Sequence, residues 1–132
     1  MDFRKVISNL ISSSTGLDPE FIYNSIEIPP DVGLGDYAFP CFSLAKQEKR
    51  PPNAIAADIA KSIHPDTTVF SRVESAGGYV NFFLNRDSYA AMVVNEVISA
   101  GEAYGSSDIG KGKAITIDFS SPNIAKPFHV GH

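Results

Sequence analysis

The residues best equipped for chemistry are gathered in the last few positions: Lys126, His129, Gly131 and His132. Two imidazoles can donate hydrogen bonds to phosphate oxygens, and an ammonium adds a full positive charge. Donors of this kind stabilise charge that develops on a phosphate during a reaction. Gly131 has no Cβ, so backbone or ligand can come close. Ahead of them, the run from Ala114 to Phe119 reads as a buried strand, and Ser120-Ser121-Pro122-Asn123 breaks it. A strand followed by a polar break is where open α/β sheets place ligands, outside the carboxyl ends of strands. A bare His-x-Gly-His pattern is weak by itself, because short patterns recur by chance. Two histidines in a tail also read as solvated polar residues.

The longer string carries more. Ser121-Pro122-Asn123-Ile124-Ala125-Lys126-Pro127-Phe128-His129-Val130-Gly131-His132 resembles the first signature of class I aminoacyl-tRNA synthetases. It is similar to that of the arginyl-tRNA synthetases in particular. The resemblance implies an enzyme that activates arginine with ATP and esterifies it onto tRNA(Arg). It implies ATP binding by His129, Gly131 and His132, with the following helix N-terminus facing phosphate. It implies catalytic roles for His129, His132 and Lys126. Asp118, Ser121 and Asn123 then take the positions that hold arginine. Asp118 stands where the family more often has glutamate, so the charge is kept and one methylene of reach is lost. Mg²⁺ is implied by the nucleotide chemistry. The family's second signature, a Lys-Met-Ser-Lys-Ser-like loop, occurs nowhere in the chain. The expectation is an N-terminal piece of a longer enzyme, not catalytic alone.

Composition sets outer bounds. At 132 residues and 43% hydrophobic content, a core can form. The lone Cys41 excludes an internal disulfide, suits a reducing, cytoplasmic setting and reads as a small buried residue. No metal-ligand spacing links His64, His129 and His132. No stretch resembles a signal peptide or a membrane span, so no membrane partner is expected. A monomer is expected. A net charge of −4 argues against a purely electrostatic RNA binder. Lys46, Lys49 and Arg50 form a local basic cluster, read first as a solvated face and second as a tRNA backbone contact.

Periodicity lays out the elements. Phe3, Val6, Ile7, Leu10 and Ile11 recur at helical spacing, and Gly16 ends that helix. Asp18-Pro19-Glu20 predicts a capped helix to about Asn24. Ser25 to Ile28 is a candidate strand stopped by Pro29-Pro30. Asp31 to Pro40, with its glycines and aspartates, reads as a structural loop. Pro40 opens a helix to about Glu48, and Pro52 opens another with Ile55, Ile59 and Ile63 on one face. Thr68 to Ser75 and Tyr79 to Leu84 predict a hairpin around Gly77-Gly78. Asp87 is expected to cap a long helix that turns Met92, Val93, Val97 and Ile98 inward and stops at Gly101. The mixture predicts an α+β fold, a small antiparallel sheet packed with helices. To it is added the first strand of a nucleotide-binding α/β domain cut short. The expected domains are residues 1–105, a linker over 106–113, and the start of a catalytic domain over 114–132.

Two internal segments add to the resemblance. Gly35-Asp36-Tyr37-Ala38 is similar to a segment of the arginyl-tRNA synthetase N-terminal domain. Glu74 to Phe82 resembles the hairpin with which that family touches the tRNA D-loop. The family pattern has a proline in the glycine turn, and this chain has none. The resemblance makes Tyr79 and Asn81 the tRNA-binding candidates. An aromatic can stack on an unpaired base, and an amide can read its edge. The other reading makes Tyr79 a lid over a small core. Strand alternation puts Tyr79, Asn81 and Phe83 on one face, and Val80, Phe82 and Leu84 on the other. Two further functional readings stand beside the ligase. One is a free-standing RNA-binding module derived from a synthetase. The other is a different class I nucleotidyl transferase.

Overall fold

A computed structural model of the chain describes residues 1–117 and Pro127. The chain divides into two compact units, Met1–Ser99 and Ala100–His132. The first unit opens with α1 (Phe3–Thr15) and α2 (Pro19–Ser25). Asp2 caps α1 through the Lys5 N–H, and Asp18 caps α2 through the N–H groups of Glu20 and Phe21. A 3₁₀ turn at Val32–Leu34 leads to β1 (Tyr37–Pro40). Then come α3 (Phe42–Glu48), α4 (Pro52–Ser62), β2 (Phe70–Ala76), β3 (Tyr79–Leu84) and α5 (Arg86–Ala100).

The three strands make one antiparallel sheet in the order β1-β3-β2. Phe39, Val80, Phe82 and Phe70 point to one side and pack with Ile7 and Ile11 of α1, Ile22 of α2, and Ile55 and Ile59 of α4. Phe70 and Phe82 meet edge-to-face at 5.5 Å between ring centroids. Each such side chain taken from water contributes about 1.5–3 kcal/mol. The α+β expectation therefore holds, and α1, α2, α4 and the hairpin lie where periodicity placed them. Gly77 and Gly78 have φ of 56° and 86°, the left-handed pair that a two-residue hairpin turn needs.

Several expectations need correction. Ser25 to Ile28 is not a strand. It makes a single bridge, Glu27 to Ala38, with both N–H···O bonds at 2.9 Å. Pro29-Pro30 has no N–H to carry the ladder further. The second half of the expected loop is a strand instead, because Tyr37 and Phe39 alternate toward the core. Pro40 ends that strand rather than opening a helix, a position it tolerates on an edge. The cap of α5 is Asn85, whose Oδ1 accepts from the Ser88 N–H at 3.2 Å, not Asp87. The inward face expected for α5 is only partial: no residue of the helix is buried, Met92 and Val93 are half-buried, and Ile98 is 73% exposed. At about 100° per residue, Glu96 falls between Met92 and Val93, and Ile98 falls far round the helix from both. The apolar positions therefore form no single stripe.

In the second unit a 3₁₀ turn spans Gly101–Ala103. Ala114–Ile117, the described part of the expected last strand, make no ladder bond among the described residues, and Ile115 and Ile117 are exposed. A strand needs a hydrogen-bonded neighbour to form.

Cys41 is fully buried, as its composition reading anticipated, and burial pushes its thiol up from 9.0 to about 11. Two outcomes follow. As pH rises from about 9 to about 11, the unfolded thiol ionises while the folded one stays protonated, so this group's share of stability is lost over that window. Urea midpoints of the parent should fall more steeply there than those of Cys41→Ala. At the turn, a Cβ on Gly77 meets open space, whereas one on Gly78 lies 3.0 Å from Phe42 Cε1 and 3.1 Å from Pro52 Cβ. Gly77→Ala should cost about 1–2 kcal/mol from backbone strain alone. Gly78→Ala should cost about 1–3 kcal/mol more, read by denaturant titration.

Candidate nucleic-acid interface

The face of the sheet away from the helices carries the site. Its residues follow from register: Ala38 stands opposite Asn81, Glu74 flanks Asn81 on the other side, Ala76 faces Tyr79, and Arg72 faces Phe83. Beside this face runs the segment Glu27 to Leu34. Together they enclose a cleft of about 410 Å³. Ile28, Pro29, Pro30 and Leu34 form one wall, and Tyr79, Asn81, Ala38, Ala76 and Gly77 the other. The lining is mainly apolar, with Asn81 and Glu27 as its polar groups. Tyr79 and Asn81, picked out in the sequence, thus share one cavity.

Asn81 is only 5% exposed. Its side-chain amide nevertheless bonds to no other side chain or backbone group among the described residues. No fully enclosed side-chain polar atom there lacks a partner, so the amide opens to the cleft. Most of the residue is thus covered while its amide reaches the cleft, where water or a ligand can take its hydrogen bonds. Tyr79 is half-buried, and the Phe42 ring meets it edge-on, 5.1 Å between centroids and 79° between planes. That contact fixes the tilt of the Tyr79 ring, which borders the cleft.

The opposite wall is held by backbone and carboxylate bonds. Asp31 Oδ1 accepts from the Gly33 N–H at 2.8 Å. Asp36 clamps the loop to the end of β3. Its N–H donates to the Phe82 carbonyl at 2.9 Å, its Oδ2 accepts from the Leu84 N–H at 2.8 Å, and its Oδ1 pairs with Arg86 Nη2 at 2.6 Å. Gly35, at φ 105°, is pressed so close that a Cβ would sit 3.0 Å from the Phe82 carbonyl oxygen. The aspartates of this glycine-rich loop therefore serve the fold, as the structural reading anticipated.

Phe83 shares the outer face, yet it is 9% exposed rather than bare. Arg72 covers it, with the guanidinium carbon 3.7 Å from the ring centroid. In the basic cluster, Arg50 is held by Asp58 at 2.5 Å and Glu48 at 3.5 Å, while Lys46 and Lys49 are exposed. Among the described residues no group of His, Cys, Asp and Glu could hold a metal ion, and no helix is long and apolar enough to cross a membrane.

Sequence reasoning missed the residues that make room. Ala38 and Ala76 leave the floor open beside Asn81 and Tyr79, and Pro29, Pro30 and Leu34 build the far wall. An alanine between two aromatics, Tyr37-Ala38-Phe39, is the local signal for the first of these. Asp118, Ser121, Asn123, Lys126, His129, Gly131 and His132 lie outside the described residues.

Comparison with known proteins points one way. Residues 1–84 match the family described as arginyl tRNA synthetase N terminal domain. Residues 93–132 match that of the class I tRNA synthetases (R), catalytic domain. The chain is 46% identical over 132 residues to the arginine–tRNA ligase of Clostridium perfringens, covering 100% of this chain and 23% of the relative. It is 48% identical over 132 residues to that of Clostridioides difficile, covering 99% of this chain and again 23% of the relative. The chain thus spans under a quarter of the length of these curated relatives. The fold is similar to part of Thermus thermophilus arginyl-tRNA synthetase, with a TM-score of 0.58 and 24% identity over 70% of this chain and 16% of that one. With a match that runs through α1 to β3 and another that takes in the signature string, the chain belongs to the arginyl-tRNA synthetase family.

Proposed function

We propose that this chain is the N-terminal part of an arginine–tRNA ligase, an enzyme that activates arginine with ATP and transfers it to tRNA(Arg). In this reading residues 1–105 form the tRNA-contacting domain, 106–113 a linker, and 114–132 the entry to the catalytic domain. The enzyme works in the cytoplasm as a monomer. The observation that carries the tRNA role is the Asn81 amide, without a side-chain or backbone partner among the described residues and open to a cleft that the Tyr79 ring borders. An unpaired nucleobase fits that chemistry, with a flat apolar body for the aromatic and an edge that both donates and accepts for the amide. The D-loop of tRNA offers such bases. The catalytic-domain match over residues 93–132 weighs against a free-standing RNA module.

For the signature, resemblance supports the assignments. His129 and His132 would donate to the ATP phosphates, with Gly131 permitting close approach and Lys126 adding charge. Asp118, Ser121 and Asn123 would hold arginine. Mg²⁺ would accompany the ATP phosphates, and no residue of this chain is assigned to it. In the attack of the arginine carboxylate on the α-phosphorus, pyrophosphate departs, and negative charge builds on the phosphate oxygens. The two imidazoles are suited to stabilise that charge.

In the full-length enzyme, Tyr79→Ala and Asn81→Ala should each raise the KM for tRNA(Arg) by about 5- to 150-fold, with kcat little changed. Ala38→Leu, which fills the floor of the cleft, should do the same. His129→Ala or His132→Ala should instead lower kcat by about 10²–10³. Steady-state charging assays separate the two patterns. An unchanged KM for tRNA in the Tyr79, Asn81 and Ala38 variants would rule out the cleft as a tRNA site.

A further inference from the structure

Beyond the cleft, the outer face of the sheet holds one more group built for a ligand. The Arg72 guanidinium carbon lies 3.7 Å from the Phe83 ring centroid, and its Nε forms an ion pair with Glu74 Oε1 at 2.9 Å. Its Nη1 and Nη2 have no partner among the described residues, and the side chain is 54% exposed. The ring beneath and the Glu74 carboxylate beside it restrict the guanidinium, and its exposure leaves Nη1 and Nη2 accessible to a ligand. Register sets its distance from the cleft. Arg72 faces Phe83 and Glu74 faces Asn81, so Arg72 and Asn81 are diagonal neighbours, about 7–8 Å apart. That separation is comparable to the span from a base edge to a phosphate of the same or the adjoining nucleotide.

We infer that Arg72 is the phosphate anchor of this face: its Nη1 and Nη2 take the phosphodiester beside the base held by Tyr79 and Asn81. The inference rests on the cleft reading above. An arginine fork matches two phosphate oxygens at once, which a flexible ammonium does not. Glu74 does not cancel it, because an exposed ion pair contributes little and leaves both Nη groups free. Two other arginines are engaged elsewhere. Arg50 and Arg86 are tied to Asp58 and Asp36, respectively. In a chain of net charge −4, a single oriented arginine beside an apolar cleft is where a backbone phosphate would settle.

The test is a salt series of binding to a tRNA(Arg) transcript by the full-length enzyme. Arg72→Gln keeps an aliphatic stem over Phe83 and removes the charge. It should weaken binding about tenfold at low salt. It should also make the slope of log affinity against log salt shallower by roughly 0.7–0.9, the signature of one lost phosphate contact. Arg72→Lys should recover the slope but not all of the affinity. Tyr79→Ala and Asn81→Ala should weaken binding at unchanged slope. If Arg72→Gln melts below the parent temperature, Arg72→Met, whose stem also covers the ring, provides the same reading. A parental slope in the neutral variants, with Asn81→Ala still weak, overturns the anchor and leaves the cleft. Parental binding in both Tyr79→Ala and Asn81→Ala overturns the cleft and the anchor with it.

Discussion

The register of β3 is the constraint on which the rest depends. It is the middle strand, and its side chains alternate between two jobs. Val80, Phe82 and Leu84 belong to the core, while Tyr79, Asn81 and Phe83 face the cleft side. A slip of one residue would exchange the two sets and lose both the core and the cleft. Three features hold the register in place. The Gly77-Gly78 turn sets it at one end. Asp36 locks it at the other, through the Leu84 N–H and Arg86. The irregularity between Phe70 and Arg72 absorbs the extra residue of β2.

On the cleft side the sheet departs from what stability alone would choose. Alanines stand at positions where larger side chains would bury more area, and the Asn81 amide has no side-chain or backbone partner among the described residues. Such departures from local rules concentrate where a protein binds something. The neighbouring contacts are correspondingly rigid. Phe42 steadies the Tyr79 ring, and Asp31 and Asp36 pin the facing loop. The cavity is therefore shaped before a ligand arrives, and less entropy is lost on binding.

Much of this was legible in the sequence. Helical spacing of Ile7 with Ile11, and of Ile55 with Ile59, located the helices that cover the sheet. The glycine pair located the hairpin, and Tyr79 with Asn81 marked the face that opens. What escaped depended on partners far along the chain. Tyr37 to Pro40 is a strand because β3 lies beside it, and the glycines and aspartates just before it resemble plain loop punctuation. Asp36 meets Leu84 and Arg86 some 48 and 50 positions later, a pairing that no local window contains. The burial of Phe83 likewise needs Arg72 from the neighbouring strand. On α5, apolar content suggests an apolar stripe, and the angular scatter of its residues breaks it up.

The two rims of the sheet differ. Outside β1, the Glu27 bridge and the prolines after it close the ladder against any newcomer. β2 has no strand beyond it among the described residues. Its protection is chemical: the charged pair Arg72 and Glu74 stands along it, and the irregularity at its start bends the line of hydrogen-bonding groups. Charges and bulges at an open rim discourage a second polypeptide from adding itself as an extra strand. The arginine of that pair consequently serves solubility as well, guarding against self-association the edge on which it stands.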